Sequence, residues 1–438
     1  MKQLQSLKVS DNKRFILNED GSPFFWLGDT AWELFHKLSR EEADLYLENR
    51  AERKFTVIQA VALAENDGLR VDNAYGRKPL LQNSNGEYDP TMPDVQIDID
   101  NTYTYWDHVD YIVDKAASLG MYIGFLPTWG DKYNICWGKG PDIFDGENAR
   151  IYGKWLGDRY KDKINIIWIM GGDRQLMTAR HFDVINQMAA GIKEGDGGTH
   201  LMTLHPAGGH SSSFHVHDEK WLDFNMIQSG HSDLNKDNYK MVSDDYVRLP
   251  IKPVLDGEPC YEDHPVGFKP LNGYFDDSNV RQAAYWALFA GAFGHTYGHH
   301  SVWCMCTEPA EYYIMDWKTA ITRPGASQMQ YARILMESRP SLNRVPDQSL
   351  VAENYTGANH LQACRGNDYA FIYSPNGLPI QVNMGVISGD KVKASWYNPR
   401  NGESLYIGEC HNANVQKFIP PSSGRNDDWV LILDDANK

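Results

Sequence analysis

The sequence contains little cysteine, little positive charge and no long apolar segment. Its 438 residues include six cysteines, and the closest pair, Cys304 and Cys306, is separated by one residue. Without a CxxC pair, neither a zinc ribbon nor a redox motif is expected, and no disulfide framework is indicated. The net charge of −16 argues against binding to nucleic acid or to an anionic membrane. Because no apolar run reaches the length of a bilayer span, we expect no membrane insertion.

The N-terminus lacks the apolar core segment of a signal peptide. Residues 1–14 read MKQLQSLKVSDNKR and are mostly polar. This pattern predicts either an intracellular protein, or a periplasmic or extracellular protein whose leader has been removed. Internal repeats and low-complexity tracts are also missing, so a solenoid or a disordered chain is not expected.

What the chain does contain is a regular series of apolar runs separated by helix-like segments. Amphipathic or capped patterns predict helices over 39–54, 106–120, 146–163, 179–194 and 278–292. The runs are continuously apolar instead of alternating, as parallel strands buried on both faces should be. Eight such runs occur, at residues 24–32, 55–63, 121–130, 164–174, 201–208, 224–231, 252–262 and 294–303.

Eight apolar runs, most of them followed by a helix, favour a closed (β/α)8 TIM barrel over an open doubly wound sheet. The open alternative lacks support because the first run ends in GDTAW and not in a glycine-rich phosphate turn. After about residue 345, short β-rich pieces are divided by PNG and PRNG turns. We therefore predict a barrel over residues 1–345 and a small C-terminal β-sandwich over 346–438 that packs on it. The long polar stretch 64–100 is expected to be functional or separately structured.

The active site of such a barrel lies at the C-terminal ends of its strands. Asp173 ends the fourth strand and Glu258, within the seventh run, ends the seventh strand, so barrel closure should bring both carboxyl groups to one pocket. Burial favours the neutral form of a carboxyl group, which can then protonate a leaving-group oxygen. A second, ionised carboxylate can attack an anomeric carbon, which is the two-carboxylate scheme of glycoside hydrolysis. Gly171 and Gly172 would let substrate or neighbouring backbone approach closely.

Other polar and aromatic residues end the same runs and are candidate sugar contacts. Aromatic residues make up 12% of the chain, which suits stacking on sugar rings, although most are expected in the core. The candidates are Asp29, Trp32, Trp129, Arg174, His205, His231, Tyr297 and His299, with Gln59, Thr128, Gln228 and His300 at equivalent positions.

Several of these residues have an equally ordinary structural explanation. Asp29 could form a turn instead of contacting a sugar hydroxyl, and Trp129 or Trp303 could pack in the core instead of stacking on substrate. Arg174 could orient Asp173 or form a structural ion pair with it. His299 and His300 are adjacent, so at most one of them faces the pocket.

A metal-dependent hydrolase is a less favoured alternative. The spacing His215-Val216-His217 could suggest a metal, but it falls in a connection rich in Gly, Ser and His and not at a strand end. No metal and no cofactor are therefore expected. A barrel that binds carbohydrate without cleaving it is the remaining alternative.

At these residues the chain resembles glycoside hydrolase family 140, a group of barrel enzymes with a C-terminal β-sandwich often labelled as collagen-binding. The similar segments are GSPFFWLGDTAWELF (21–35), WIMGGDR (168–174), LDGEPCYE (255–262), RQAAYWALFAGAFGHTYG (281–298), ASWYNPRNGE and FIPPSSGRNDDWVLIL. The resemblance covers nearly the whole chain. It implies a catalytic Asp at position 173, a catalytic Glu at position 258, and activity on apiose-containing side chains of plant pectin degraded by gut bacteria.

One departure bears on the substrate. Barrel hydrolases with catalytic residues on strands four and seven usually carry Asn-Glu at strand four, whereas this chain has Gly172-Asp173. The acid is shorter by one methylene, and the usual contact to the sugar 2-hydroxyl is missing, which favours a furanose-sized sugar. We therefore expect a retaining glycoside hydrolase of plant polysaccharide, with Asp173 as general acid/base and Glu258 as nucleophile. We expect the tail not to bind collagen, because its interior is too apolar to be solvated and the charge of −16 offers no match to a fibre.

Overall fold

A computed structural model describes residues 4–97 and 102–438. The larger domain is a barrel of eight parallel strands, which confirms the predicted fold class. We label these strands in chain order as β1 (Trp26–Thr30), β2 (Val57–Leu63), β3 (Tyr122–Thr128), β4 (Ile166–Gly171), β5 (Met202–His205), β6 (Asn225–Gln228), β7 (Val254–Asp256) and β8 (Gly294–Tyr297).

The barrel strands pair in the order β5-β4-β3-β2-β1-β8-β7-β6. A short strand, His210–Ser211, then lies antiparallel to β6. The ring is closed between β5 and β6, where the Asp223 N–H donates to Met202 O (2.8 Å) and Thr203 Oγ1 donates to Phe224 O (2.6 Å). All the strand ends therefore meet at one rim.

Both faces of the barrel strands are buried, which explains their continuously apolar sequences. Along β4, Ile167 and Ile169 pack inside the barrel in one cluster with Trp26 and Leu126. The intervening residues of β4, including Trp168, pack outward in a second cluster with the surrounding helices. Successive side chains of each strand thus face two apolar environments in turn, instead of one apolar face and one solvated face.

The helices surround the barrel, and most of the barrel strands are followed in the sequence by a helix. Ser39 caps the first long helix through a capping box with Glu42, as the sequence predicts. None of the described helices is long and apolar enough to cross a membrane. The helices are Leu34–Lys37, Arg40–Glu52, Tyr105–Ser118, Gly146–Tyr160, Ala179–Gly195, Ser213–Val216, Asn238–Tyr246, Asp277–Phe289, His300–Trp303, Trp317–Ala320 and Pro324–Glu337.

The β/α alternation is incomplete after β5. There the chain forms a single turn, Ser213–Val216, because the Gly- and Ser-rich connection favours turns over a long helix. In the long polar stretch, the hairpin Leu80–Gln82 with Tyr88–Pro93 provides local structure, and residues 98–101 lie outside the described part. A three-stranded sheet of Leu7–Val9, Ile16–Asn18 and Pro23–Phe24 precedes the barrel. Its residues Ile16 and Phe24 belong to the cluster inside the barrel.

The smaller C-terminal domain consists of two antiparallel sheets around an apolar core. The core includes Ile380, Val392, Phe418 and Leu431. The strands are β9 (Val345–Pro346), β10 (Gln362–Arg365), β11 (Tyr369–Ser374), β12 (Ile380–Asn383), β13 (Lys391–Tyr397), β14 (Ser404–His411), β15 (Val415–Phe418) and β16 (Trp429–Asp435). Six of them pair in the order β9-β10-β11-β16-β13-β14, and β12 pairs with β15.

The C-terminal domain packs on helix Asp277–Phe289, which connects β7 to β8. The Arg281 guanidinium forms two hydrogen bonds to Asp428, of 2.9 and 3.0 Å, and both side chains are almost fully buried. Tyr373 also donates to Asp428 (3.1 Å) and stacks on Tyr285 with ring centroids 4.9 Å apart. This buried ion pair ties the two domains together through the helix that supports the β7–β8 edge of the barrel.

We predict that Asp428→Ala strongly destabilises the protein, because the buried Arg281 guanidinium loses two hydrogen bonds and keeps a single ion pair, with Asp277 (2.7 Å). Removing one partner of a buried pair costs about 3–5 kcal/mol. Asp434→Ala is the matched control, since it removes a half-exposed ion pair with Arg339 (2.7 Å) and should cost no more than about 1 kcal/mol. Thermal unfolding of both full-length variants measures the difference. Equal losses would show that the buried pair does not hold the domains together.

Candidate active site

A cavity of about 790 Å³ opens at the C-terminal rim of the barrel strands. Asp173, which follows β4, and Glu258, which follows β7, both line it. Aromatic side chains provide much of the remaining wall. They are Trp32, Trp129, Trp137, Tyr261, Phe268, Trp303 and Tyr312. The cavity therefore has the concave, largely apolar surface with a few converging polar groups that is typical of a ligand site.

The two glycines before Asp173 allow an unusual backbone path. Gly171 and Gly172 have φ values of 89° and 119°, in the region that favours glycine. A Cβ on Gly171 would lie 2.6 Å from His205 O, and one on Gly172 would lie 2.9 Å from Gly130 N. Asp173 itself has φ 52°, which is uncommon for a residue with a side chain and occurs at functional sites. The turn directs the Asp173 carboxyl into the cavity.

Glu258 is held by three donors from neighbouring strand ends. Its Oε1 accepts a hydrogen bond from Gln228 Nε2 (3.0 Å) and lies 3.0 Å from His231 Nε2. Its Oε2 lies 2.8 Å from His205 Nε2. Because His205 Nδ1 accepts a hydrogen bond from the Asp173 N–H (3.2 Å), its Nε2 carries the proton that faces Glu258.

The two carboxyl groups have opposite electrostatic environments. Burial and then the negative charge of Glu258 raise the pKa of Asp173 to about 6, although His205, Arg174 and Gln228 partly oppose this. Burial alone would also raise the pKa of Glu258, but hydrogen bonds from His205 and His231 lower it to about 2. At a pH between these two pKa values, Asp173 is protonated and Glu258 is ionised. Separated pKa values of this kind identify an acid and a base of one site.

Asp29 does not line the cavity, contrary to the sequence prediction. Its side chain is fully buried, and its Oδ2 accepts hydrogen bonds from Tyr46 and from Arg50 Nε, both 2.5 Å long. Both partners lie on helix Arg40–Glu52. Asp29 therefore points outward from β1 and joins the strand to a helix.

Tyr297 at the end of β8 and His299 just after it also do not line the cavity, contrary to the sequence prediction. Tyr297 is fully buried and donates to Glu262 Oε2 (2.6 Å). His299 is fully buried, caps the short helix that follows, and lies 3.0 Å from Asp263 Oδ2. Of the adjacent histidines, it is His300 that lines the cavity.

Arg174 and His205 support the cavity wall from behind and are not part of its surface. Arg174 is fully buried and donates to the carbonyl oxygens of Asn134 (3.2 Å), Asp173 (2.7 Å) and Trp137 (2.6 Å). His205 acts on the site through Glu258, as described above. The predicted contacts that do line the cavity are Trp32, Trp129 and His231.

The sequence prediction named His231 and His300 but missed the aromatic wall that they form with residues of the connections after β7 and β8. The ring centroids of His231 and His264 are 4.3 Å apart and nearly stacked, and those of His264 and His300 are also 4.3 Å apart. Burial lowers the pKa of His264 and of His300 far below its usual range. Phe268 and Tyr312 extend the same wall. The sequence does not reveal this wall, because its rings lie up to 81 residues apart along the chain and come together only in the folded structure.

Glu65 was also missed, although it follows the end of β2 by two residues and lines the cavity. Its position after an apolar run is the same signal that identifies Asp173 in the sequence.

The His215-Val216-His217 spacing does not create a metal site. His217 Nδ1 lies 3.2 Å from Asn225 Oδ1, and its Nε2 lies 3.0 Å from Pro250 O. Across residues 4–97 and 102–438, no three His, Cys, Asp or Glu side chains converge to hold a metal ion.

Known proteins similar to this chain are glycoside hydrolases. A family model described as the apiosidase-like catalytic domain matches residues 10–343. A second model, named for the collagen-binding domain of a collagenase, matches residues 345–434. No curated protein matches the chain.

Solved structures give the same result. One described as a glycoside hydrolase is 37% identical, with a TM-score of 0.90 over 99% of this chain and 98% of that chain. A family 5 glycoside hydrolase from Bacteroides vulgatus is 36% identical, with a TM-score of 0.89 over 99% and 94%. An endo-β-1,4-mannanase from Thermotoga petrophila, at 14% identity and a TM-score of 0.51 over 95% and 92%, shares the fold.

The electrostatic difference between the two carboxyl groups predicts opposite effects on stability. The raised pKa of Asp173 means that ionising it costs folding free energy as pH rises from about 4 to about 6. Asp173→Asn should therefore stabilise the protein by about 1–2 kcal/mol at pH 7.5, and this gain should disappear at pH 4. The lowered pKa of Glu258 means that its ionised form stabilises the fold at neutral pH.

Glu258→Gln is the matched variant and should change the stability in the opposite direction. It should destabilise the protein by about 1–3 kcal/mol at pH 7.5. Denaturant unfolding of both variants at the two pH values tests the pair. Destabilisation by Asp173→Asn at pH 7.5 would contradict the inferred environment of Asp173.

Proposed function

The chain belongs to the apiosidase-like family of glycoside hydrolases, and we propose that it acts with retention, using Asp173 as general acid/base and Glu258 as nucleophile. Hydrolysis of a glycosidic bond follows from the family. The observation that supports these two roles is the division of charge within one cavity. Burial raises the pKa of Asp173 to about 6, whereas two histidines lower the pKa of Glu258 to about 2.

In the first step, Asp173 donates its proton to the glycosidic oxygen while a Glu258 oxygen attacks the anomeric carbon. The leaving group departs with the proton, and the sugar is esterified to Glu258. Formation of the ester removes the negative charge of Glu258, which lowers the pKa of Asp173. Asp173 is then suited to take a proton from water, which attacks the anomeric carbon and releases the sugar.

Retention is supported by the position of Gln228. Its amide donates to Glu258 (3.0 Å) and lies close enough to Asp173 to lower the pKa of that carboxyl group. One amide near both carboxyl groups favours the separation of roughly 5–5.5 Å used by retaining enzymes over the roughly 6.5–9.5 Å of inverting enzymes.

For the substrate, we propose an apiosyl or similarly small, furanose-sized residue in a side chain of plant pectin, in keeping with polysaccharide degradation by a gut bacterium. The apiosidase-like family model supports the sugar. The short Asp173 side chain after Gly172 supports a compact ring, because the acid reaches less far into the cavity than a Glu would. The proposed setting is the periplasm or the extracellular space, where a polysaccharide substrate is accessible.

The assigned roles predict different responses to the leaving group. Glu258→Ala should abolish hydrolysis of every substrate, because no covalent route remains. Asp173→Ala should slow cleavage of a natural glycoside by about 10²- to 10⁴-fold, the usual contribution of positioned acid–base catalysis. With an aryl glycoside whose leaving group needs no proton, Asp173→Ala should barely slow the first step. Deglycosylation still needs the base, so the intermediate should accumulate until azide discharges it.

Steady-state and burst kinetics with and without azide measure these responses. Asn134→Ala, which alters a residue behind the cavity wall, is a control for general disturbance and should show no dependence on the leaving group. If Asp173→Ala slowed both substrates equally and azide had no effect, the acid/base assignment would be wrong.

A further inference from the structure

Acidic side chains near the strand ends are almost all held by the protein itself. Each fixed carboxylate has hydrogen bonds or an ion pair that account for its position, so none of them is free to bind a ligand. The fixed acids, each with one of its partners, are Glu33 with His36 (2.9 Å), Asp131 with Lys132 (2.6 Å), Asp256 with Asn238 (2.9 Å) and Glu262 with Tyr297 (2.6 Å).

Glu65 is the exception at this rim. It lies two residues beyond β2, is mostly shielded from solvent and lines the cavity that contains Asp173 and Glu258. In the described part of the chain, no hydrogen bond or ion pair holds its carboxyl group. Its carboxyl group is therefore available to hydrogen-bond to a ligand that enters the cavity.

The surroundings of Glu65 favour its protonated form. Burial, followed by the negative charge of Asp173, raises the pKa of Glu65 to about 8. The charged and titratable groups that face it are Asp173, Arg174, Asp131, Glu33, Lys132 and Tyr312. Below pH 8 its carboxyl group therefore offers one O–H donor and one carbonyl acceptor. A donor and an acceptor side by side match two neighbouring hydroxyl groups of a sugar.

The cavity surface also restricts the charge of the ligand. Among the described residues that line it, none is Lys or Arg. The carboxylate of a uronic acid would enter a cavity that already contains the Glu258 anion, with no cation at the surface to compensate it. An uncharged sugar meets no such penalty.

We propose that Glu65 is a substrate-positioning residue whose carboxyl group binds two adjacent hydroxyl groups of an uncharged sugar in this cavity. The inference rests on the proposed function, because it places the sugar beside Asp173. It also narrows that function: the sugar held between Glu65 and Asp173 in a pectin fragment is an uncharged side-chain residue and not a uronic acid.

Two variants of Glu65 separate hydrogen bonding from shape. Glu65→Gln keeps an N–H donor group and a carbonyl acceptor without a titrating proton, whereas Glu65→Met keeps the length and removes both. Binding of the free monosaccharides apiose, arabinose, xylose, galactose and galacturonate to the full chain is measured by titration calorimetry. The tightest uncharged sugar should bind Glu65→Met at least about tenfold more weakly than wild type, the loss of one to two hydrogen bonds. Glu65→Gln should stay within about threefold, a difference smaller than one hydrogen bond.

The pH dependence provides a readout that a purely structural role would not alter. Wild-type affinity for the uncharged sugar should fall as pH rises through about 8, when Glu65 loses its proton, and Glu65→Gln should lack this fall. Cooperative thermal unfolding with midpoints no lower than that of wild type shows that the variants are folded. The inference is overturned if Glu65→Met binds as wild type does, if galacturonate binds most tightly, or if no uncharged sugar binds.

Failure of this inference can be distinguished from failure of the proposed mechanism. Free-sugar binding needs no nucleophile, so activity remaining in Glu258→Ala would refute the mechanism without affecting the binding result. Conversely, an inactive Glu258→Ala together with normal sugar binding by Glu65→Met would refute only the role of Glu65.

Discussion

The site depends on one buried negative charge, the carboxylate of Glu258. No lysine or arginine among the described residues forms an ion pair with it. Instead, His205 at the end of β5 and Gln228 and His231 in and after β6 provide N–H donors. A buried carboxylate is stable only when such donors surround it. Barrel closure is what brings these strand ends together, so the fold and the ionisation state of Glu258 are coupled.

The same charge determines the state of Asp173. Two carboxyl groups in one poorly solvated cavity do not both ionise readily, and the one with fewer donors keeps its proton. His205 connects the two, because its ring accepts the Asp173 N–H (3.2 Å) and faces Glu258 at 2.8 Å. The Gly171-Gly172 turn then directs Asp173 into the cavity. The C-terminal domain contributes indirectly, since it packs on the helix between β7 and β8 through Arg281 and Asp428.

The sequence predicts the barrel and the positions of Asp173 and Glu258 because both features depend on where apolar runs end. It does not predict which face of a strand points inward, because both faces of these strands are apolar. Asp29 and Tyr297 pair in register on adjacent strands, so both point outward to the helices, and both were wrongly expected in the cavity. Glu65 and most of the aromatic wall lie on loops, where periodicity carries no information about direction.

Covalent labelling tests the central role of Glu258 most directly. A 2-deoxy-2-fluoro glycoside of an uncharged sugar, with a good leaving group, forms its ester with the nucleophile but hydrolyses slowly. We predict one added sugar per chain, located by peptide mass spectrometry on Glu258 and missing from Glu258→Ala. A label on Asp173 or another carboxyl group, or turnover without a label that releases a product of inverted configuration, would contradict the account.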